Sequence, residues 1–397
     1  MRRASHPRAR ALAAAHRHRL VCSAPVLLAA ALLMSACGTS SKHAASATAT
    51  AVSITLTPRG CAPKPARVPA GEIEVNVANK DAGAVSEAEL RTSDLSHILG
   101  EQENLTPGLS GGFVLNLQPG HYVVNCPGAA QRHWAFVVNG KASGPDWSAT
   151  PALVTAVSGY GTYVNDNVAG LVTSTQAFCA KIDAGNLAEA KLAYAKARVH
   201  YERIEPVAEI WGALDTEIDG RWENPVTVAS QFVGFHRIEQ LLWEQNTLAG
   251  ARSLCAELVE HEQQLHTLVR AATYNPLEMV SGGTDLINEA ATAKVTGEEE
   301  RYSNTDLVVL QANIDGAQEV VNLLRPYLQS TDPALLASVE ERYAAATKLV
   351  NGFKATPGYE DTGYVEYSTV LDGSRRRISG ALNAYAESLS QLSAKVS

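Results

Sequence analysis

Acidic residues are absent from positions 1–36, which hold six arginines instead. Basic residues are then outnumbered in the rest of the chain. Of 33 Lys and Arg, six fall in that first stretch, so the remainder carries 27 against 41 acids, a net charge of −14. Such a chain lacks the basic face that nucleic-acid phosphates need, and no nucleic-acid partner is expected. An acidic surplus fits a protein that handles cations. Methionine is scarce as well: only Met279 lies beyond the first 36 residues. No GxSxG elbow, P-loop or dinucleotide fingerprint occurs, so serine hydrolysis, nucleotide hydrolysis and hydride transfer have no motif here. No tandem repeat of short period is present.

Residues 1–36 hold a basic stretch, then the apolar run Ala24–Leu33, then small residues. That order is a secretory signal. The run is too short to span a bilayer, which takes about 20 apolar residues. The segment ends Leu33-Met34-Ser35-Ala36-Cys37-Gly38. Small residues immediately before a cysteine resemble a bacterial lipobox, with Met34 where leucine is usual. The resemblance implies cleavage before Cys37 and lipid on its sulfur. Each buried acyl methylene contributes about 0.8 kcal/mol, so several chains hold a protein to a membrane. The expected location is the outer face of the cytoplasmic membrane, periplasmic or cell-surface. Besides Cys22 and Cys37, the cysteines are Cys61, Cys126, Cys179 and Cys255, an even number in an oxidising compartment. Of the three possible pairings, Cys61 with Cys126 and Cys179 with Cys255 is favoured, because each bridge then stays within one domain.

The predicted fold is multidomain: an N-terminal all-β sandwich followed by a larger all-α helical bundle. Residues 37–50 are small and polar and read as a flexible tether. In residues 51–140, Val52, Ile54 and Leu56 alternate with polar residues, as do Ile73, Val75 and Val77. Further apolar runs at 113–115, 122–124 and 134–138, with turns at Pro119-Gly120 and Asn139-Gly140, complete a small sandwich. A linker spans 141–150. From 151 to 397 apolar residues recur three and four apart, as in Leu187, Ala190, Tyr194 and Ala197, or Leu307, Leu310, Ile314 and Ala317. Gly185-Asn186, Pro206, Pro276, Pro326 and Pro333 read as helix stops.

The segment Gly234-Phe235-His236-Arg237-Ile238-Glu239 places His236 and Glu239 three apart, on one helical face. Apolar neighbours surround the pair, so it is expected to be buried and to need partners, either a cation or other side chains. Upstream, Glu202, Glu205 and Glu209 fall at i, i+3 and i+7, one stripe of a helix, and Asp215 and Asp219 follow. A third acidic group is Glu298-Glu299-Glu300. If these elements pack together, carboxylates and one imidazole enclose one ion, and such a donor set suits iron or manganese better than copper(I). A solvated acidic face and a plain His–Glu hydrogen bond are the alternatives.

The strings LAEAKLAYAKAR, HYERIEPVAEIW, GFHRIEQLLW, GGTDLINE, GEEERYSNTDL and QANIDGAQEVVNLLRP resemble the imelysin-type helical domain of the EfeO-type iron-uptake lipoproteins. The resemblance covers roughly residues 51–397 and implies a cupredoxin-like sandwich at 51–140 and an imelysin-like bundle at 151–397. It implies an iron site built on the HxxE pair His236 and Glu239, with Glu205 and Asp219 as the best-matched acidic ligands and Glu202 and Glu299 next. It also implies an EfeU-type iron permease and an EfeB-type haem peroxidase as partners, with ferric or ferrous iron as cargo and zinc or copper as alternative ions. In the sandwich, Cys126 is followed by His133 at a longer interval than a copper loop has, and no Met follows. Either Cys61, Glu89, Glu101 and Cys126 form a second metal site, or Cys61 and Cys126 form a disulfide.

Two other functions compete. An imelysin-like zinc metallopeptidase would use HExxH, but His261-Glu262-Gln263-Gln264-Leu265-His266 sets its second His one place late, about 100° round the helix from where the motif needs it. A metal-bridged acidic-polysaccharide binder is disfavoured by the negative charge. No enzyme activity is expected.

Overall fold

The computed structural model describes residues 49–396 except 94, 96, 97, 104, 141–146 and 223–227. The signal, Cys37 and nearly all of the tether lie outside the described residues. No helix among the described residues is long and apolar enough to cross a membrane.

The strands are β1 (Thr50–Leu56), β2 (Arg67–Pro69), β3 (Gly71–Asn79), β4 (Ala88–Thr92), β5 (Ile98–Gln102), β6 (Ser110–Leu117), β7 (Gly120–Asn125) and β8 (His133–Asn139). They form two sheets, ordered β1-β3-β6 and β2-β8-β7-β4-β5. Alternation puts Val52, Ile54, Leu56, Ile73, Val75 and Val77 into one core with Phe113, Leu115, Val124 and Phe136. The Cys61–Cys126 disulfide lies in the same core. Strands β4 and β5 were not legible in the sequence, being short and weakly alternating. Their register sets Glu89 directly opposite Glu101.

The helices are α1 (Pro151–Asp183), α2 (Leu187–Glu202), α3 (Glu205–Ala208), α4 (Gly212–Asp219), α5 (Gly234–Trp243), α6 (Ala251–Val269), α7 (Pro276–Thr292), α8 (Asp306–Thr331), α9 (Pro333–Asn351), α10 (Asp372–Ser390) and α11 (Ser393–Val396). Pro206, Pro276 and Pro333 stand in the first turns of α3, α7 and α9, where a missing N–H costs nothing. Pro326 stops nothing: it sits inside α8, five residues before its end.

The Glu202–Glu209 stripe is not one helix. The chain leaves α2 at Arg203 and restarts at Glu205, because Pro206 offers no donor and disfavours helix before it. The break is covered by α8. Asn313 donates to the Glu202 carbonyl at 2.8 Å and to its carboxylate at 3.1 Å. One turn on, a Cβ at Gly316 would stand 2.4 Å from the Arg203 carbonyl oxygen.

A second disulfide, Cys179–Cys255, ties α1 to α6 across a sequence separation of 76. Replacing both cysteines with serine is expected to lower stability to urea by about 2–4 kcal/mol, measured on the oxidised chain. Nearby on α6, Glu262 is fully buried. It accepts one hydrogen bond, from Thr175 Oγ1 at 2.7 Å, and burial raises its pKa from 4.5 to about 8. A carboxyl whose folded value is raised contributes stability below its unfolded pKa and loses it as pH climbs through the folded one. Wild type is therefore expected to lose stability relative to Glu262→Gln as pH rises from about 5 to about 9. The loss should reach at least about 1.4 kcal/mol, the worth of one pKa unit. Parallel urea curves for the two chains across that range would refute the assignment.

Candidate metal centre

Helix α5 starts where α4 stops. Gly234 has φ +71°, and a Cβ there would lie 2.2 Å from the Ile218 carbonyl oxygen. Only glycine permits this approach, which sets His236 beside Asp219. Phe235, Ile238, Leu241 and Leu242 are buried around the helix, so His236 and Glu239 are sealed as well.

The imidazole is held from behind. His236 Nδ1 lies 3.0 Å from Glu239 Oε2. The other Glu239 oxygen accepts the backbone N–H groups of Tyr302 and Ser303, at 3.0 and 2.6 Å. The ring therefore turns Nε2 towards Asp219 Oδ1 at 3.4 Å and Glu299 Oε1 at 3.5 Å. Nε2 is buried and makes no hydrogen bond. One ligand atom each from Asp219, His236 and Glu299 lie within 4.8 Å of one another, spacing that one cation can bridge. On the other side of the ring, Glu239 and Glu300 form a second such group with His236.

Two buried cations already balance these acids. Arg198, on α2, donates from Nε to Glu300 at 2.8 Å and from Nη2 to Glu299 at 3.0 Å. It also contacts Glu202 and Asp219. Lys294 Nζ lies 3.0 Å from Glu202 and touches Glu205. Arg221 pairs with Glu299 from the outer side. Burial alone would raise the Glu299 carboxyl, but Lys294, Arg221 and the nearby His236 hold it well below the usual range. Burial raises Glu205 well above it and Glu300 to about 7. At His236, burial and Arg198 oppose protonation, yet the neighbouring Glu239 and Glu299 carboxylates outweigh them and raise its pKa.

The six residues expected as ligands thus lie in one cluster. Asp219 and Glu299 face Nε2, Glu239 stands behind the ring, and Glu202 and Glu205 sit one layer away around Lys294. Arg198 and Lys294 were not singled out in the sequence, and Glu300 only as a member of the acidic run 298–300. Arg198 had a signal, standing four before Glu202 on a helix. Lys294 had none, since its partners are up to 92 residues away.

The acidity continues outward. Glu205, Glu209 and Glu289 form another closely spaced group, the last two half-exposed. Across the domain joint, Glu87, Glu89 and Glu101 form a group on the sandwich. Burial raises Glu101, Glu209 and Glu103, the last to about 8, and each sandwich–helix pair adds repulsion: Glu209 on Glu101, and Glu289 on Glu103. With Cys61 and Cys126 joined, their thiolates cannot serve as ligands, and the sandwich group is carboxylate only. In the HExxH near-miss, His261 Nε2 faces Glu217 at 3.6 Å and Glu262 binds Thr175. Among the described residues neither His261 nor His266 joins a group that could hold a metal.

The imelysin family model matches residues 156–392, and a cupredoxin-like domain model matches 27–133. The iron uptake system component EfeO of Yersinia pseudotuberculosis is 36% identical over 345 residues, covering 86% of this chain and 90% of that protein. EfeO of Escherichia coli K12 is 35% identical over 346 residues, with the same coverage. A solved Parabacteroides distasonis structure, described provisionally as an iron-regulated protein A precursor, aligns with TM-score 0.50 at 14% identity. It covers 62% of this chain and 95% of its own, and shows a likeness of fold alone. With a family model over most of the helical region and relatives matched along nine-tenths of their length, the chain belongs to the imelysin family, in the EfeO-type form that carries a cupredoxin-like domain ahead of the helices.

Proposed function

We propose that the chain captures iron outside the cytoplasmic membrane as the binding component of an iron-uptake system, and that it is not an enzyme. One observation carries this: the Nε2 of His236 is buried, makes no hydrogen bond and faces two carboxylates. A buried polar atom without a partner is costly and asks for one. Iron as cargo would take Nε2, Asp219 and Glu299 as direct ligands. Glu239 acts from behind, through Nδ1, fixing the ring and raising its basicity. Glu300 is the reserve oxygen, and Glu202 and Glu205 set the surrounding charge. Oxygen donors with one imidazole favour iron over copper(I), with zinc as the competitor to test.

Half-exposed Glu209 and Glu289 offer the way in, since rows of acidic groups concentrate cations at a mouth. A zinc peptidase keeps an open coordination position beside room for substrate. Here both residues of the HxxE pair are buried, which leaves a peptide no approach. The delivery step needs a membrane partner, an EfeU-type permease, with an EfeB-type haem peroxidase as the other partner. Residues 1–36 would serve as signal, 37–50 as a tether lipidated at Cys37, 51–140 as the cupredoxin-like domain and 151–397 as the imelysin-type domain.

Calorimetric titration of the mature chain with ferric citrate, ferrous and zinc ions tests the site. His236→Ala is expected to weaken iron binding by about 100-fold or more, and Glu239→Gln by about 10–100-fold, as for a group that orients a ligand. Tight binding unchanged by both substitutions would sink the assignment. Peptide cleavage that stops on adding a chelator would revive the peptidase.

A further inference from the structure

Lys294 is fully buried, which lysines avoid unless paired. It opens a single 3-10 turn, Lys294–Thr296, that follows α7 and ends at Gly297. Its Nζ lies 3.0 Å from Glu202 Oε2, in contact with Glu205 Oε2, 3.9 Å from Glu299 Oε1 and 4.0 Å from Glu289 Oε2. One oxygen each from Glu202, Glu205 and Glu299 lie within 4.8 Å of one another. The ammonium therefore sits where an oxygen-bound ion would sit. The adjoining group of Asp219, His236 and Glu299 shares Glu299 with it. One group keeps an unbonded nitrogen; the other is filled by a tethered positive charge.

We propose that Lys294 is the built-in occupant of a second cation seat, made by Glu202, Glu205 and Glu299, and that it restricts this cluster to a single ion at His236. The idea rests on reading the cluster as a cation cage. The blocked seat is all oxygen, so it would take a hard divalent or trivalent ion. Two ions sharing Glu299 would repel each other at close range, and a fixed ammonium prevents that arrangement. A lysine that merely pins helices together makes a different forecast: its loss would destabilise the chain, with no gain in bound ions.

Manganese(II), an oxygen-preferring ion, is the probe. Ions bound per chain are counted by equilibrium dialysis with mass spectrometry, and melting is followed with and without the ion. Lys294→Met and Lys294→Gln are each expected to bind one ion more than wild type. Without manganese they should melt below wild type, and manganese should recover most of the deficit. Carboxylates on the sandwich bind equally in all variants and cancel in the difference. The extra ion should vanish in Lys294→Met/Glu205→Gln. It should persist in Lys294→Met/His236→Ala relative to His236→Ala, so failure of the His236 site and failure of the second seat read separately. An unchanged ion count in both Lys294 variants overturns the proposal, as does a melting deficit that manganese leaves untouched. If neither variant folds alone, refolding from urea decides: recovery with manganese upholds the seat, and none refutes it.

Discussion

Everything around His236 depends on a carboxylate cluster held in a helical core by Arg198 and Lys294. Burying carboxylates in low dielectric costs several kcal/mol each unless opposite charges and hydrogen bonds compensate them. Arg198 does this for Glu202 on its own helix, Asp219 at the end of α4, and Glu299 and Glu300 in the segment before α8. One guanidinium thereby joins three parts of the chain. Its fork and fixed charge suit the task in a way a lysine would not. Hydrophobic residues of similar size would often stabilise such a core as well or better. That the chain keeps oxygen there points to a use for oxygen beyond folding.

The division of labour between the two nitrogens of His236 follows from local geometry. On a helix, i and i+3 share a face, so Glu239 can reach only the near nitrogen, Nδ1. Its remaining oxygen accepts two backbone N–H groups in the segment leading into α8. Glu239 thus locks the ring and at the same time locks the turn that carries Glu299 and Glu300. A change at Glu239 would disturb three donors together.

Much of this was legible in the sequence. The period-two runs from Val52 to Val138 marked five of the strands, and the apolar spacing after Pro151 marked the bundle. His236 and Glu239 stood out because polar residues three apart were embedded in an apolar helix. What failed did so for physical reasons. Pro326 looks like a stop, but a proline near a helix end sacrifices few hydrogen bonds, and tertiary packing outweighs it. Glu202 and Glu205 kept a helical spacing across a break, and they converge through Lys294 rather than through a continuous helix. Strands β4 and β5 carry Glu89 and Glu101 where alternating apolar residues would normally announce a strand. Pairings such as Lys294 with Glu202 belong to the tertiary fold and leave no local trace.

The same features that hid β4 and β5 connect the sandwich to the iron proposal. Like charges directly opposite on neighbouring strands are destabilising. Glu89 and Glu101 tolerate it because Arg91 and Asn125 hydrogen-bond Glu89 and hold its carboxyl down, while burial and repulsion raise Glu101. That repulsion includes Glu209 across the joint, the next acid outward from the sealed centre. On the proposed reading, acids grade from half-exposed at the joint to fully buried beside His236. A cation would then trade water for carboxylate oxygen in steps, each step opposed by a smaller desolvation cost than a direct jump into the core. The sandwich would contribute electrostatically at the mouth of the path, without a copper centre and without a free thiolate.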